Sequence, residues 1–253
     1  MDKLHLTHHI SQQFNEELED LRNRVLTMGG VVEHQIAEAT RALVDANGRL
    51  GEEIARSDYR VNSMEVAIDE EATRILARRQ PAASDLRLII SIIKTITDLE
   101  RIGDEAEKIA RLAAQLAEID RPAQGYVELE HLAGTVRKML HEALDAFARL
   151  DAEAALRVAR TDNRVDHMYD SIARQSITFM MEDPRTIRRA LDTMWCARAL
   201  ERIGDHASNI CEYVIFLVGG KDVRHTTIEQ MEEVVGAERA ARGEAREESG
   251  EAE

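Results

Sequence analysis

Three prolines, two cysteines and 4% aromatic residues are all that 253 positions hold of those types. So few prolines leave long helices unbroken, because proline inside a helix removes a hydrogen bond and clashes with the preceding turn. The cysteines, Cys196 and Cys211, fall in one helical pattern without a CxxC spacing. Their axial separation, at a rise of about 1.5 Å per residue, is far beyond disulfide reach. Reduced, core-type thiols in a cytosolic protein are expected. Long hydrophobic runs are missing too. The longest near the end, Tyr213 to Val218, is much shorter than a bilayer span. The opening MDKLHLTHHISQQF has no apolar h-region, so no signal peptide is expected and the protein should be soluble and cytoplasmic. No phosphate-binding glycine loop, no G-x-S-x-G and no nucleophile–base arrangement occurs, which removes the common grounds for reading an enzyme. Positive charge is also short, with 33 Lys and Arg against 48 Asp and Glu and a formal net charge of −15. The basic residues are scattered among acids, which disfavours nucleic acid and an anionic membrane surface. Cations and partners with basic patches are favoured.

What remains is Ala, Leu, Ile, Glu and Arg, the composition of a helix bundle. The length favours one or two domains at roughly 150 residues each. Ser11 is a plausible N-cap for a first helix, and Phe14, Leu18, Leu21, Val25 and Met28 follow at 3–4 spacing. Gly29-Gly30 interrupts the pattern, but Val32, Ile36, Ala39 and Leu43 resume it in phase, so one long helix is expected. Asn47-Gly48 is a C-terminal signal. A second helix is read from about Leu50 to Gln80, ended by Pro81, and Ser84 or Asp85 caps a third that fades near Ile119. Asp120 to Gly125 is the clearest linker. A second set follows: Leu129 to Leu150, a helix capped by Asp151 that reaches Met180 or Met181, and a sixth opened by Asp183-Pro184 and ended by Gly219-Gly220. The expected fold class is all-α, two tandem three-helix bundles with antiparallel helices, at residues 1–120 and 126–222. Residues 223–253 are read as a short segment, Thr227 to Val235, and an acidic tail expected to be disordered from about Gly236.

The two sets are repeats. Glu100-Arg101-Ile102-Gly103-Asp104 returns unchanged as Glu201-Arg202-Ile203-Gly204-Asp205, preceded by leucine both times (Leu99, Leu200). Gly30 mirrors Gly134 at a separation of 104, and Asp58-Tyr59-Arg60-Val61-Asn62 mirrors Asp162-Asn163-Arg164-Val165-Asp166 at the same separation. The interval falls to 101 at the pentapeptide because the hairpin before the third helix is three residues longer in the first copy.

Residues i and i+4 share a helix face, so Glu100 projects with Asp104 and Glu201 with Asp205. Each pair prolongs an apolar stripe, Ile89, Ile93 and Ile96 in one copy and Ala190, Met194 and Ala197 in the other. The carboxylates therefore lie on a seam that faces a neighbouring helix. Mid-helix Gly103 and Gly204 each cost about 1 kcal/mol relative to alanine, and the repetition suggests close approach by a second backbone. The preceding helix offers Asp58 and Asn62 in the first copy and Asp162 and Asp166 in the second. Crowded carboxylates must protonate or find a cation. Oxygen donors without cysteine suit Mg²⁺, Mn²⁺ or Fe, so one metal site per unit is expected. The alternative is that Arg101 and Arg202 neutralise these acids within their own helix, since a chain this acidic shows many solvated i,i+4 pairs. Weaker candidates are His5, His8 and His9, read as solvated, and Trp195, Met180 and Met181, read as core. Glu128-x-x-His131 has di-iron spacing but occurs once, which argues against an oxidase centre.

These residues resemble the PhoU family. The duplicated E-R-I-G-D carries the likeness together with Met28-Gly29-Gly30, Arg79-Gln80-Pro81, Ala82, Ser84-Asp85-Leu86-Arg87, Asn209-Ile210-Cys211-Glu212-Tyr213 and Asp222-Val223-Arg224-His225. It covers about residues 1–235. The resemblance implies a non-enzymatic negative regulator of the phosphate response. Such a protein couples the ATPase subunit of the high-affinity phosphate ABC transporter to a sensor histidine kinase, acts as a homodimer, and meets the membrane only through partners. It also implies metal clusters on the E(D)xxxD motifs, which map to Glu100, Asp104, Glu201 and Asp205, with Asp58, Asn62, Asp162 and Asp166 on the preceding helix. The metal, Mg, Mn, Fe or Zn, is not fixed by the residues. Asn62 stands where the second repeat has Asp166, a departure that would weaken or alter the first site. A carboxylate-type bundle metalloenzyme and a purely structural scaffold are the other readings.

Overall fold

Apolar residues at 3–4 spacing, interrupted by few prolines, produce long rods in the computed structural model, which describes residues 3–81, 83–119 and 126–248. Among the described residues there are nine α-helices and one 3-10 turn, and no strand. The first rod, α1 (Lys3–Val44), starts earlier than Ser11 and runs through Gly29-Gly30 without a break. It buries Leu18, Leu21, Val25, Met28, Val32 and Ile36 along one face. Asn47 ends the connection and caps the next helix by accepting a hydrogen bond from Leu50 N–H at 3.1 Å.

The middle rod of each unit is broken where the sequence suggested a single helix. In the first unit α2 (Gly48–Ser57) gives way to α3 (Tyr59–Arg79) at Asp58. In the second, α6 (Ala152–Ala159) gives way to α7 (Asp162–Glu182). Both breaks tighten to three-residue hydrogen bonding: Val61 N–H donates to the Asp58 carbonyl at 2.9 Å, and Thr161 N–H to the Val158 carbonyl at 2.8 Å. Apolar periodicity continues across such a turn, which is why it was not visible in the pattern. The third rods are α4 (Ala83–Leu116) and, after the 3-10 turn Pro184–Thr186, α8 (Ile187–Gly219). The second unit opens with α5 (Val127–Arg149), and Asp151 caps α6 by accepting from Ala154 N–H at 2.8 Å. Gly220, at φ +70°, turns the chain out of α8.

Last comes α9 (Ile228–Glu248), which carries helix past Gly236, where disorder was expected. Thr227 and Gln230 start it with a reciprocal capping box, at 3.1 and 3.4 Å. Val234 and Val235 are buried, and Arg160–Glu232 and Arg239–Glu153 tie the helix to α6 at 2.5 and 3.5 Å. Asp120 to Gly125, read as the linker, lies outside the described residues, as do the side chains of His5, His8 and His9.

The architecture is two tandem three-rod bundles, each rod set antiparallel, joined along α4 and α8. Polar contacts fix how those two helices cross. Ser91 meets the Tyr213 carbonyl, Asp98 meets His206 and Asn209, and Glu105 meets Arg202. Partner numbers fall on one helix as they rise on the other, so α4 and α8 run antiparallel. Their middle is the duplicated pentapeptide. No helix among the described residues is long and apolar enough to cross a membrane.

Candidate metal centres

In each unit the acids of the third rod face the broken middle rod. Gly103 and Gly204 show why the approach is close. A Cβ on Gly204 would lie 3.1 Å from Val165 Cγ1, and one on Gly103 would lie 3.3 Å from both Val61 Cγ1 and Asp58 Oδ1. The glycines thus admit side chains of the facing helix, not its backbone as the sequence suggested. Val61 and Val165 fill the seam, and the acids sit beside them.

The second unit brings three of the four expected acids together, with Glu201 buried and Asp166 and Asp205 reached by solvent. Asp166, Glu201 and Asp205 each offer a carboxylate oxygen within 4.8 Å of the others, and among the described residues they form the one acidic group this tight. Glu201 is only 7% exposed. One of its oxygens receives Arg198, while Oε2 is buried without a partner. Asp162, the first residue of α7, has a buried Oδ1 without a partner. A helix N-terminus favours negative charge, yet burial outweighs it. Burial, then the charges of Asp205 and Asp166, raise the Asp162 carboxyl to about 6. Burial and Asp205 raise Glu201 to about 7 against the pull of Arg198. Asp205 is also raised, by burial and then Asp166. A buried polar group left unpaired costs about 1–3 kcal/mol, so two such oxygens pointing into an acidic seam are an unmet demand for a proton or a cation.

The first unit is looser and differently composed. Asp58, at the break between α2 and α3, is buried with Oδ1 unpartnered. Asn62 Nδ2 donates to its Oδ2 at 3.1 Å, so Asn62 acts as a donor to the aspartate. Burial raises Asp58, and the charges of Glu107 and Asp104 add to it. Burial and Asp104 raise Glu100, which Arg101 contacts only loosely at 3.5 Å. Glu65 is raised by burial, then by Asp69, and Asp104 contributes. The Gln35 Oε1 oxygen, 3.5 Å from where a Gly103 Cβ would be, is a second buried acceptor without a partner. Glu65, Glu107 and Gln35 were missed in the sequence. Glu107 continues the Glu100, Asp104 face at the next turn, and Glu65 continues the Asp58, Asn62 face, so helical spacing could have found both. Gln35 comes from α1, and only the fold reveals it.

Of the two arginines in the alternative reading, Arg101 pairs with Glu100 in its own helix at 3.5 Å, and Arg202 turns elsewhere. Arg202 reaches across to Glu105 on α4 at 3.2 Å, and Glu201 is met by Arg198. The donor sets fit a hard cation: carboxylate and amide oxygens and unpartnered buried oxygens, with both cysteines buried as free thiols. Trp195 and Met181, read as core, are instead 66% and 80% exposed.

Comparison with known proteins agrees with this architecture. The family described as "PhoU domain" matches residues 25–113 and again 129–214. The "Phosphate-specific transport system accessory protein PhoU homolog" of Pseudomonas aeruginosa is 57% identical over 235 residues, covering 93% of this chain and 97% of that protein. The crystal structure of PhoU from Pseudomonas aeruginosa superposes with a TM-score of 0.80 at 57% identity, over 82% of this chain and 100% of that one. The crystal structure of the phosphate transport system regulatory protein PhoU from Streptococcus pneumoniae gives 0.77 at 31% identity, over 83% and 99%.

Proposed function

The chain belongs to the PhoU family, and on that premise we propose that it is a negative regulator of the phosphate response that works as an adaptor. It is not an enzyme, as the accessory and regulatory roles in its relatives' names agree. It links the ATPase subunit of the phosphate ABC transporter to the sensor histidine kinase and restrains uptake when phosphate is plentiful. The observation that carries the physical part of this reading is the pair of acidic seams flanking one α4–α8 crossing, each with buried oxygens left unpaired.

Asp162, Asp166, Glu201 and Asp205 would hold one metal group, and Asp58, Glu100 and Asp104, with the Asn62 side chain beside them, a second. The metal would supply positive charge on a chain whose own balance is −15. Local repulsion between carboxylates is thereby offset, and a partner with a mixed or acidic surface can approach. The chain's residues do the remaining work. Val61 and Val165 set the spacing of the rods at Gly103 and Gly204, and Arg198 holds one Glu201 oxygen so that the other faces the seam.

The test is a pull-down with the transporter ATPase and the kinase sensor domain. It compares wild type with a variant carrying Glu100→Ala, Asp104→Ala, Glu201→Ala and Asp205→Ala. Wild type should retain both partners, and the variant should lose them while keeping its helical content. A clean deletion should make phosphate-starvation genes constitutive, and normal repression in that strain would refute the role.

A further inference from the structure

The repeat is unequal at its entrance. Val127, where α5 begins, corresponds to Asn23 at the repeat interval of 104, yet α1 extends a further twenty residues before Asn23, back to Lys3. Among the described residues that extension has no counterpart ahead of α5.

In the first unit it covers the end of the bundle. Leu18 and Leu21 are buried, and Phe14 packs against the core. Glu17 fixes the placement by accepting two hydrogen bonds from Arg79, the last residue of α3, at 2.7 and 3.0 Å. Beside it Ile68, Ala72, Ile75, Ile89 and Ile92 are all buried.

Their counterparts in the second unit are Ile172, Ser176, Phe179, Ala190 and Thr193, and these line an open groove of ≈ 550 Å³ between α5, α7 and α8. Phe179 is 42% exposed and Val127, at the mouth, 51%. Ile172, Ser176 and Ala190 are buried here as well, so among the described residues the difference lies at Phe179, which is exposed where its counterpart Ile75 is buried. Smaller residues stand where the first unit has isoleucine, at Ala190 and Thr193, which widens the floor. Asp183 stands where Arg79 stands and is already bound to Arg185 at 2.9 Å, so the groove does not repeat the Glu17 clasp.

The geometry points to this groove as the seat of an amphipathic helix from a partner protein, one that presents apolar side chains at i, i+4 and i+7 as Phe14, Leu18 and Leu21 do in the first unit. The reading is independent of metal binding and goes beyond the adaptor role, because it names the shape and chemistry of a docking segment. Helix-in-groove recognition reads those spacings. Burial of leucine-sized side chains there favours a specific but reversible contact.

The probe is a synthetic peptide of residues Gln12–Leu26, titrated into the full chain and followed by backbone hydrogen exchange. Saturable binding is expected, with protection confined to the start of α5, the last turns of α7 and the first turns of α8. Phe179→Asp in the protein should weaken binding at least about tenfold with little change in the melt, since the ring is already half exposed. A peptide carrying Leu18→Asp and Leu21→Asp tests the same contact on unaltered protein and should not bind. Absence of saturable binding overturns the proposal. So does protection that maps to the first unit, which would mean that the peptide displaces α1. Groove protection without peptide that grows with protein concentration and disappears in Phe179→Asp also overturns it, since the occupant would then be a second copy of this chain.

Discussion

The two acidic seams share a pentapeptide and differ in almost everything around it. In the second unit four carboxylates crowd together, and a cation, Arg198, stands where the first unit has Thr97. Its guanidinium lies 5.7 Å from the Tyr169 ring centre, and Tyr169 stands where the first unit has Glu65. The first unit replaces one aspartate by Asn62 and adds Glu65, Glu107 and the Gln35 amide. Identical motifs thus give one compact, strongly proton-hungry cluster and one dispersed set in which an amide already satisfies part of the aspartate. A duplicated motif fixes where a site lies, while its neighbours set how strongly it demands a cation.

The largest effect should come from removing ligands. Glu201→Ala with Asp205→Ala is expected to weaken Mn²⁺ binding in the second unit by more than about 100-fold, beyond the range of outer-shell changes. Glu100→Ala with Asp104→Ala should remove a separate, weaker class of site. Calorimetric titration of both variants separates the classes, and equal losses would break the asymmetry.

Packing differs between the units as well. A Cβ on Gly51 would lie 2.5 Å from the Ala110 carbonyl oxygen, whereas its counterpart in the second unit is already alanine, Ala155. Gly51→Ala should therefore cost roughly 2–3 kcal/mol through overpacking against backbone. Ala155→Gly should cost only about 1 kcal/mol, the helix-propensity difference. Denaturant melts of the two variants make the comparison.

Proton linkage gives a third contrast. In the metal-free protein Asp162 and Glu201 bind protons more tightly folded than unfolded, with carboxyls raised to about 6 and about 7. The stability they contribute is present below the ordinary carboxylate range and is lost as pH rises through those values. The melting temperature should therefore fall between about pH 5 and pH 8, roughly 2–4 °C for each kcal/mol lost. Glu201→Gln should flatten that slope more than Glu100→Gln, and Mn²⁺ should flatten it in wild type by taking the proton's place. The smallest effect is Asn62→Asp. It should cost about 1 kcal/mol without metal, because it replaces a hydrogen-bond donor to Asp58 by a like charge, and should tighten metal binding in the first unit a few-fold.

Much of this was legible in the residues. The 3–4 spacing, the scarcity of proline and the repeat intervals yield the six rods, and the phase of the stripes places Glu100, Asp104, Glu201 and Asp205 on the face turned to the middle rod, where Glu201 is buried, Glu100 and Asp104 are partly buried and Asp205 is exposed. The breaks at Asp58 and before Asp162 were not legible, because a tightened turn leaves apolar periodicity intact. Gln35 was out of reach for another reason: its contact with the seam is made in space by α1. Trp195 and Met181 were misread because helical spacing says which face a residue shares but not whether another rod covers that face.

The central claim is that buried oxygens on both sides of the α4–α8 crossing are cation ligands. Anomalous diffraction at the manganese edge, from crystals grown with Mn²⁺, tests it most directly. The account predicts a strong peak among Asp162, Asp166, Glu201 and Asp205 and a weaker one beside Asp58, Glu100 and Asp104. Featureless maps at both places, with these oxygens instead turned to water, would contradict it.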